Sequence, residues 1–120
     1  DEYGHLVGTE ALRRLCRVIE QCVRQVDTLA RYGGDEFSIL LVDTDHETAL
    51  RVAERIRDRI ETYIFEVGRD IRLSLTISVG VVTCPDHGMA RDGLLDLADK
   101  AMYRAKSDGR NRICSANEVN

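Results

Sequence analysis

Arg31-Tyr32-Gly33-Gly34-Asp35-Glu36-Phe37 puts two glycines and two adjacent carboxylates at one point of the chain. The glycines free the backbone for positive φ and leave room for a bulky ligand to approach. Asp and Glu are disfavoured in strands, so a simple turn seldom needs both at a strand's entrance. Hard oxygen donors beside a glycine-opened bend suit Mg²⁺ (or Mn²⁺) held together with a substrate's phosphates. A solvated acidic hairpin accounts for the same letters, and these residues alone leave both possibilities open.

A second cluster, Lys106-Ser107-Asp108-Gly109-Arg110-Asn111-Arg112, is basic. Lys106 as a point charge and Arg110 as a fork can hold phosphate oxygens. Cations at a helix C-terminus also suit the helix dipole, so plain capping competes with this function. Asp43, Asp45 and Glu47 mimic part of a calcium loop, but acids at a helix N-terminus explain them better. His46 and His87 are expected at the surface. Cys16, Cys22, Cys84 and Cys114 show no C-x-x-C spacing, which argues against a zinc site or disulfide and suits a reducing compartment.

These residues need elements to position them. Ala11, Leu12, Leu15, Cys16, Ile19, Val23 and Val26 recur at helical spacing, predicting a helix from about Val7 to Val26. Thr28 to Tyr32 and Glu36 to Val42 read as strands of a hairpin with Gly-Gly-Asp-Glu at its tip. Thr44-Asp45-His46-Glu47 matches a capping box, and a helix of about Asp45 to Tyr63 follows. Ile71, Leu73, Leu75, Ile77, Val79 and Val81 alternate strictly, predicting one long strand. Leu94, Leu95, Ala98, Ala101, Met102 and Ala105 form a third helix that Gly109 terminates. Tyr103 is expected on its apolar side, and Asn111 to Cys114 as a final strand. The order α-β-β-α-β-α-β, with one tight hairpin, implies an α/β (α+β) fold with a mixed or partly antiparallel sheet flanked by helices.

At 120 residues the chain fits one domain, 1–120, able to bury roughly two-thirds of its unfolded surface. A net charge of -4 argues against a general nucleic-acid binder, which needs a basic face. No apolar run is long enough to span a bilayer. No signal peptide is visible, and the chain begins at Asp1 rather than Met.

The hairpin segment resembles the signature of GGDEF diguanylate cyclases. Gly4-His5-x-x-Gly8, Ile77-Ser78-Val79-Gly80-Val81, Ala98-Asp99-Lys100-Ala101-Met102-Tyr103-Arg104-Ala105-Lys106 and Gly109-Arg110-Asn111 are similar to further family segments, in the family's order. The resemblance implies a palm-like fold (ferredoxin-like, nucleotidyl cyclase type). It also implies condensation of two GTP into cyclic di-GMP and pyrophosphate by a two-fold homodimer. Such nucleotidyltransferases make a bacterial second messenger in signal transduction. By the same resemblance Asp35 and Glu36 are catalytic and metal-binding, and Gly33, Gly34, Lys106 and Arg110 bind substrate phosphates. Arg24-Gln25-Val26-Asp27 resembles the family's R-x-x-D inhibitory motif. Arg24 would fork a phosphate of the product, Asp27 would accept from a guanine edge, and Arg55 would be a third member. Solvated surface charges are the ordinary alternative for all three.

Two departures stand out. The family's first strand carries a metal-binding Asp, with a nearby Lys for phosphate and Asn for guanine. Those positions would precede Asp1, so the chain is expected to lack that strand and its preceding helix and to be inactive alone. Thr9 stands where the family usually has an Asp that binds guanine. The hydroxyl supplies no charge and is expected to cost on the order of 1–3 kcal/mol of recognition. The alternative function is therefore a catalytically degenerate module sensing cyclic di-GMP or GTP. In either case a cytoplasmic domain is expected, joined to an upstream sensory domain in a parent whose membrane anchoring the sequence leaves open.

Overall fold

The computed structural model describes residues 2–31, 35–68 and 70–119, with side chains from residue 8 onward except that of Arg31. Its elements are α1 (Glu2–Glu20), β1 (Thr28–Arg31), β2 (Glu36–Val42), α2 (His46–Thr62), β3 (Ile64–Val67), β4 (Ile71–Ser74), β5 (Ser78–Cys84), α3 (Arg91–Ser107), β6 (Arg112–Ser115) and a 3-10 turn at Ala116–Glu118. Four strands make a mixed sheet in the order β1-β2-β5-β6. β1 is antiparallel to β2, while β2, β5 and β6 run parallel. β3 and β4 form a separate antiparallel ribbon. No helix among the described residues is long and apolar enough to cross a membrane.

Alternation along β2 divides the core. Phe37, Ile39 and Leu41 pack with Leu15 and Ile19 of α1 and Ala53, Ile56 and Ile60 of α2. Leu40 and Val82 face Leu94 and Ala98 of α3 on the other side. The spacing of the two sides thus follows from the two-residue period of a strand. Gly80 decides how closely α3 lies on the sheet. A Cβ there would collide with the Ala98 carbonyl oxygen and the Met102 backbone. Ser38 Oγ donates to that same Ala98 carbonyl at 3.0 Å, fixing the seat.

Several expectations need correction. The first helix ends at Glu20, not Val26, and Val26 is exposed. Cys22 N–H closes on the Ile19 carbonyl, then Asp27 draws the next residues into a turn. Its carboxylate accepts from the Arg24 N–H at 2.9 Å, offering the backbone an alternative to helix. Asp45, rather than Thr44, caps α2, accepting from the Thr48 N–H at 2.9 Å. The long strand across residues 71–81 is two strands in two sheets. Residues 71–76 alternate between half-buried and exposed, whereas 77–83 are buried throughout. The apolar alternation runs unbroken through the gap at 75–77 and so conceals it. Its partner β3 was not anticipated. Tyr103 is 64 % exposed, because Leu94, Ala98, Ala101, Met102 and Ala105 already fill the buried face of α3.

Candidate active site

Glu36 shares a strand face with Ser38 and Leu40, and that face is covered by α3. Leu94 packs near Leu40 and Ala98 near Ser38, so α3 runs against β2 and its C-terminal turn arrives beside Glu36. Lys106 Nζ lies 2.8 Å from Glu36 Oε1. The helix then stops as expected at Gly109, whose φ is +130°. The Arg110 N–H donates to the Ala105 carbonyl at 3.0 Å and the Gly109 N–H to that of Lys106, a Schellman closure. This folds the chain back, and Arg110 Nη1 reaches Asp35 Oδ2 at 3.2 Å and Glu36 Oε1 at 3.8 Å. Asp35 is itself anchored, its carbonyl accepting from the Ser78 N–H at 2.8 Å.

Two acids and two cations separated by some 75 residues of chain therefore form one cluster. Glu36 is the least exposed member, its side chain 14 % accessible. Charge is balanced within the cluster. Asp35 and Glu36 supply two hard oxygen donors from adjacent residues, which suits Mg²⁺, an ion held by one or two carboxylates plus phosphates and waters. Among the described residues no group of three or more His, Cys, Asp or Glu side chains could hold a metal, so Asp35 and Glu36 would fill only part of a shell here. Gly33 and Gly34 lie outside the described residues. Thr9 is exposed on α1.

A support beneath Arg110 was not foreseen. Arg110 and Asn111 both have left-handed backbone, with φ of +63° and +47°. Arg57 of α2, 13 % accessible, donates from Nη1 to Asn111 Oδ1 at 2.8 Å, and the Asn111 amide donates to the Glu61 carboxylate. Arg57 also pairs with Glu54 at 2.7 Å and Glu61 at 3.4 Å. The Glu54 hydrogen bond, opposed by burial, raises the guanidinium pKa above its usual value. The only sequence sign was the helical spacing of Glu54, Arg57 and Glu61, which reads equally well as a surface ladder.

Arg24 and Asp27 sit together on the opposite side of the sheet, at a cavity of about 230 Å³ also lined by Leu41, Thr44, Thr48 and Val52. Asp27 is only 2 % accessible. It accepts from the Arg24 Nε and Nη2 at 3.2 and 3.0 Å, and from the Val42 N–H at 3.1 Å. Burial alone raises the Asp27 pKa, but the hydrogen bonds from Arg24 and Val42 outweigh it and hold the carboxyl below its ordinary value. Asp27 thus orients Arg24; accepting from a guanine edge, as expected of it, would require it to leave these partners. Arg24 Nη2 additionally donates to the Val42 carbonyl and Thr44 Oγ1. Arg55 is exposed on α2, at helical spacing from Thr48 and Val52 but outside the lining of that cavity.

The family described as "Diguanylate cyclase, GGDEF domain" matches residues 1–112. Diguanylate cyclase A of Treponema denticola is 40 % identical over 114 residues, covering 94 % of this chain and 30 % of that protein. The response regulator PleD of Caulobacter vibrioides is 41 % identical over 115 residues, covering 94 % and 25 %. The chain thus spans about a quarter to a third of the length of these relatives. Among solved structures, the GGDEF domain of YfiN from Pseudomonas aeruginosa superimposes with a TM-score of 0.80 at 30 % identity, over 97 % of this chain and 67 % of that one. The GGDEF domain of DgcB from Caulobacter crescentus, solved in complex with c-di-GMP, gives 0.75 at 25 % identity over 98 % and 69 %. With the motifs in order and the palm-like fold in place, the chain belongs to the GGDEF diguanylate cyclase domain family.

Proposed function

We propose that the protein carrying this chain condenses two GTP into cyclic di-GMP, each 3′-hydroxyl attacking the other nucleotide's α-phosphorus and displacing pyrophosphate. The observation that carries this is the neutral cluster of Asp35, Glu36, Lys106 and Arg110. A divalent ion would take the two carboxylates and neutralise developing charge on the phosphates. Lys106 and Arg110, released from their acids, would then hold phosphate oxygens, one as a point charge and one as a fork. Asp35 stands at the edge of the bend, where it can also accept the proton of an attacking hydroxyl. Such chemistry draws on positioning and electrostatics more than on covalent help. Two GTP-loaded domains facing across a two-fold axis complete the reaction. A first-strand carboxylate N-terminal to Asp1 is proposed as a further metal ligand, and an upstream sensory domain as the control.

The Arg24 site supports product inhibition. Arg24 is pre-oriented by a buried acid yet remains half-exposed, which suits a guanidinium awaiting a phosphate of cyclic di-GMP. Arg55 would join it from α2. Thr9 favours the second possibility, a sensor that binds nucleotide without turnover. Incubating the full-length protein with GTP and Mg²⁺ separates the two. Cyclic di-GMP from the wild type but not from Asp35→Ala supports catalysis; nucleotide binding with no product supports the sensor.

A further inference from the structure

On the α1–α2 side of the sheet, away from the catalytic cluster, lies a groove of about 440 Å³. Arg13, Arg14 and Arg17 of α1 and Arg59 and Tyr63 at the end of α2 line it, with Glu10 as its one acid. The chain carries 21 acids against 17 Lys and Arg, so carboxylates are plentiful, yet only one is placed here. Glu10 is already engaged, accepting from the Gly68 N–H at 3.1 Å and facing Arg14 at 3.6 Å. Arg13, Arg17 and Arg59 have no carboxylate partner among the described residues; the single polar contact of Arg59 is to Cys22 Sγ at 3.7 Å. Arg13 and Arg17 are four apart on one helix face, and Arg14 and Arg17 three apart, where like charges oppose helix formation. The helix dipole accounts for Arg17 and Arg59 in their last turns, but not for Arg13 or for the convergence of all four on one concavity. Tyr63, 43 % exposed, presents an aromatic surface at the groove's end. The size is that of a small-molecule site rather than a flat docking face.

We propose that this groove binds a nucleoside polyphosphate, with adjacent phosphates on Arg13, Arg17 and Arg59 and the base against Tyr63. Forked guanidiniums match phosphate oxygens, and an exposed aromatic ring stacks a base without regard to its hydrogen-bonding edge. The site is separate from the catalytic cluster and does not depend on the cyclase activity. It shares no lining residue with the Arg24 cavity, although Arg59 of the groove touches Cys22 of that cavity at 3.7 Å.

The test is calorimetric titration of the full-length protein with pyrophosphate and with ADP, in EDTA so that metal-dependent binding at Asp35 and Glu36 is silent. Both probes are expected to bind. Arg17→Ala/Arg59→Ala should weaken both at least tenfold, Tyr63→Ala should weaken ADP while sparing pyrophosphate, and Arg110→Ala should change neither. If the double variant does not fold, Arg13→Glu must show the same loss. No binding of pyrophosphate by the wild type up to millimolar concentration overturns the proposal, as does loss through Arg110→Ala instead. Sedimentation with phosphatidylglycerol vesicles in place of pyrophosphate binding would assign the cations to a membrane surface and equally overturn it.

Discussion

Lys106 Nζ and Glu36 Oε1 are 2.8 Å apart, joining the last turn of α3 to the first residue of β2. The lysine side chain is about a third exposed, so the pair is worth little to the fold, within about 1 kcal/mol. On the proposed function, its value lies in the substrate. Lys106→Met is expected to leave thermal unfolding nearly unchanged and to lower kcat/KM for GTP by roughly tenfold or more, since a charge-assisted hydrogen bond carries about 1.5–3 kcal/mol. Steady-state kinetics beside a melting curve checks both halves.

Gly80 sets that distance from afar. Gly80→Ala forces a methyl into the Ala98 and Met102 backbone. Overpacking of this kind costs about 1–3 kcal/mol. Because the collision pushes α3 off the sheet, the variant should also lose nucleotide affinity, although Gly80 touches no ligand. Denaturant unfolding with a parallel binding titration reads the two effects.

The clasp of Arg57 and Asn111 makes a separate prediction. Asn111 tolerates its positive φ and anchors the residue that follows Arg110. Asn111→Ala removes both, so KM for GTP should rise several-fold without loss of cyclic di-GMP chemistry. Arg57→Lys should recover part of what Arg57→Ala loses, because a lysine reaches Glu54 and Glu61 but lacks the fork.

How far the chain announced all this varies by element. Glu36–Val42 and the stop at Gly109 were legible because each depends on local chemistry, strand formers in one case and a glycine with positive φ in the other. Asp35, Glu36, Lys106 and Arg110 were nameable from their types, and their meeting follows from α3 running against β2. The β3–β4 ribbon was hidden because Ile71 to Val81 keeps one alternation through a change of sheet. Gly68 and Asp70, both at positive φ, mark its turn, but a lone Gly-x-Asp is a faint signal. Arg57 gave no sign of its partner 54 residues away, since nothing local to α2 depends on Asn111.

His46 predicts a loss of stability in acid. Burial, then the nearby His87, lowers the His46 pKa, with Asp86 opposing. Its Nδ1 is buried with no hydrogen-bond partner among the described residues, while Nε2 lies 2.5 Å from Ser115 Oγ. Above pH about 6.5 His46 is neutral in both states; below it the unfolded chain takes the proton first. The contribution is therefore complete above that pH and is lost as pH falls through the lower folded value. Urea unfolding at pH 7.5 and 5.5 should show lower stability at 5.5, with a smaller drop for His46→Asn. An equal drop in the variant would remove His46 as the cause.

Asp27 predicts a coupled loss. Asp27→Ala strips a buried acceptor from the Val42 N–H and from Arg24, at about 1–3 kcal/mol of stability. With Arg24 no longer oriented, the proposed inhibition by cyclic di-GMP should need at least several-fold more product, which an inhibition titration of the full-length protein measures.

On the proposed function, Asp35 and Glu36 bind metal only in company with a nucleotide's phosphates. Electron paramagnetic resonance of Mn²⁺ with the full-length protein and a non-hydrolysable GTP analogue measures this directly. Bound Mn²⁺ that appears with the analogue and disappears in Asp35→Asn/Glu36→Gln is the expected result. Nucleotide-dependent Mn²⁺ binding that survives the double substitution would contradict the account.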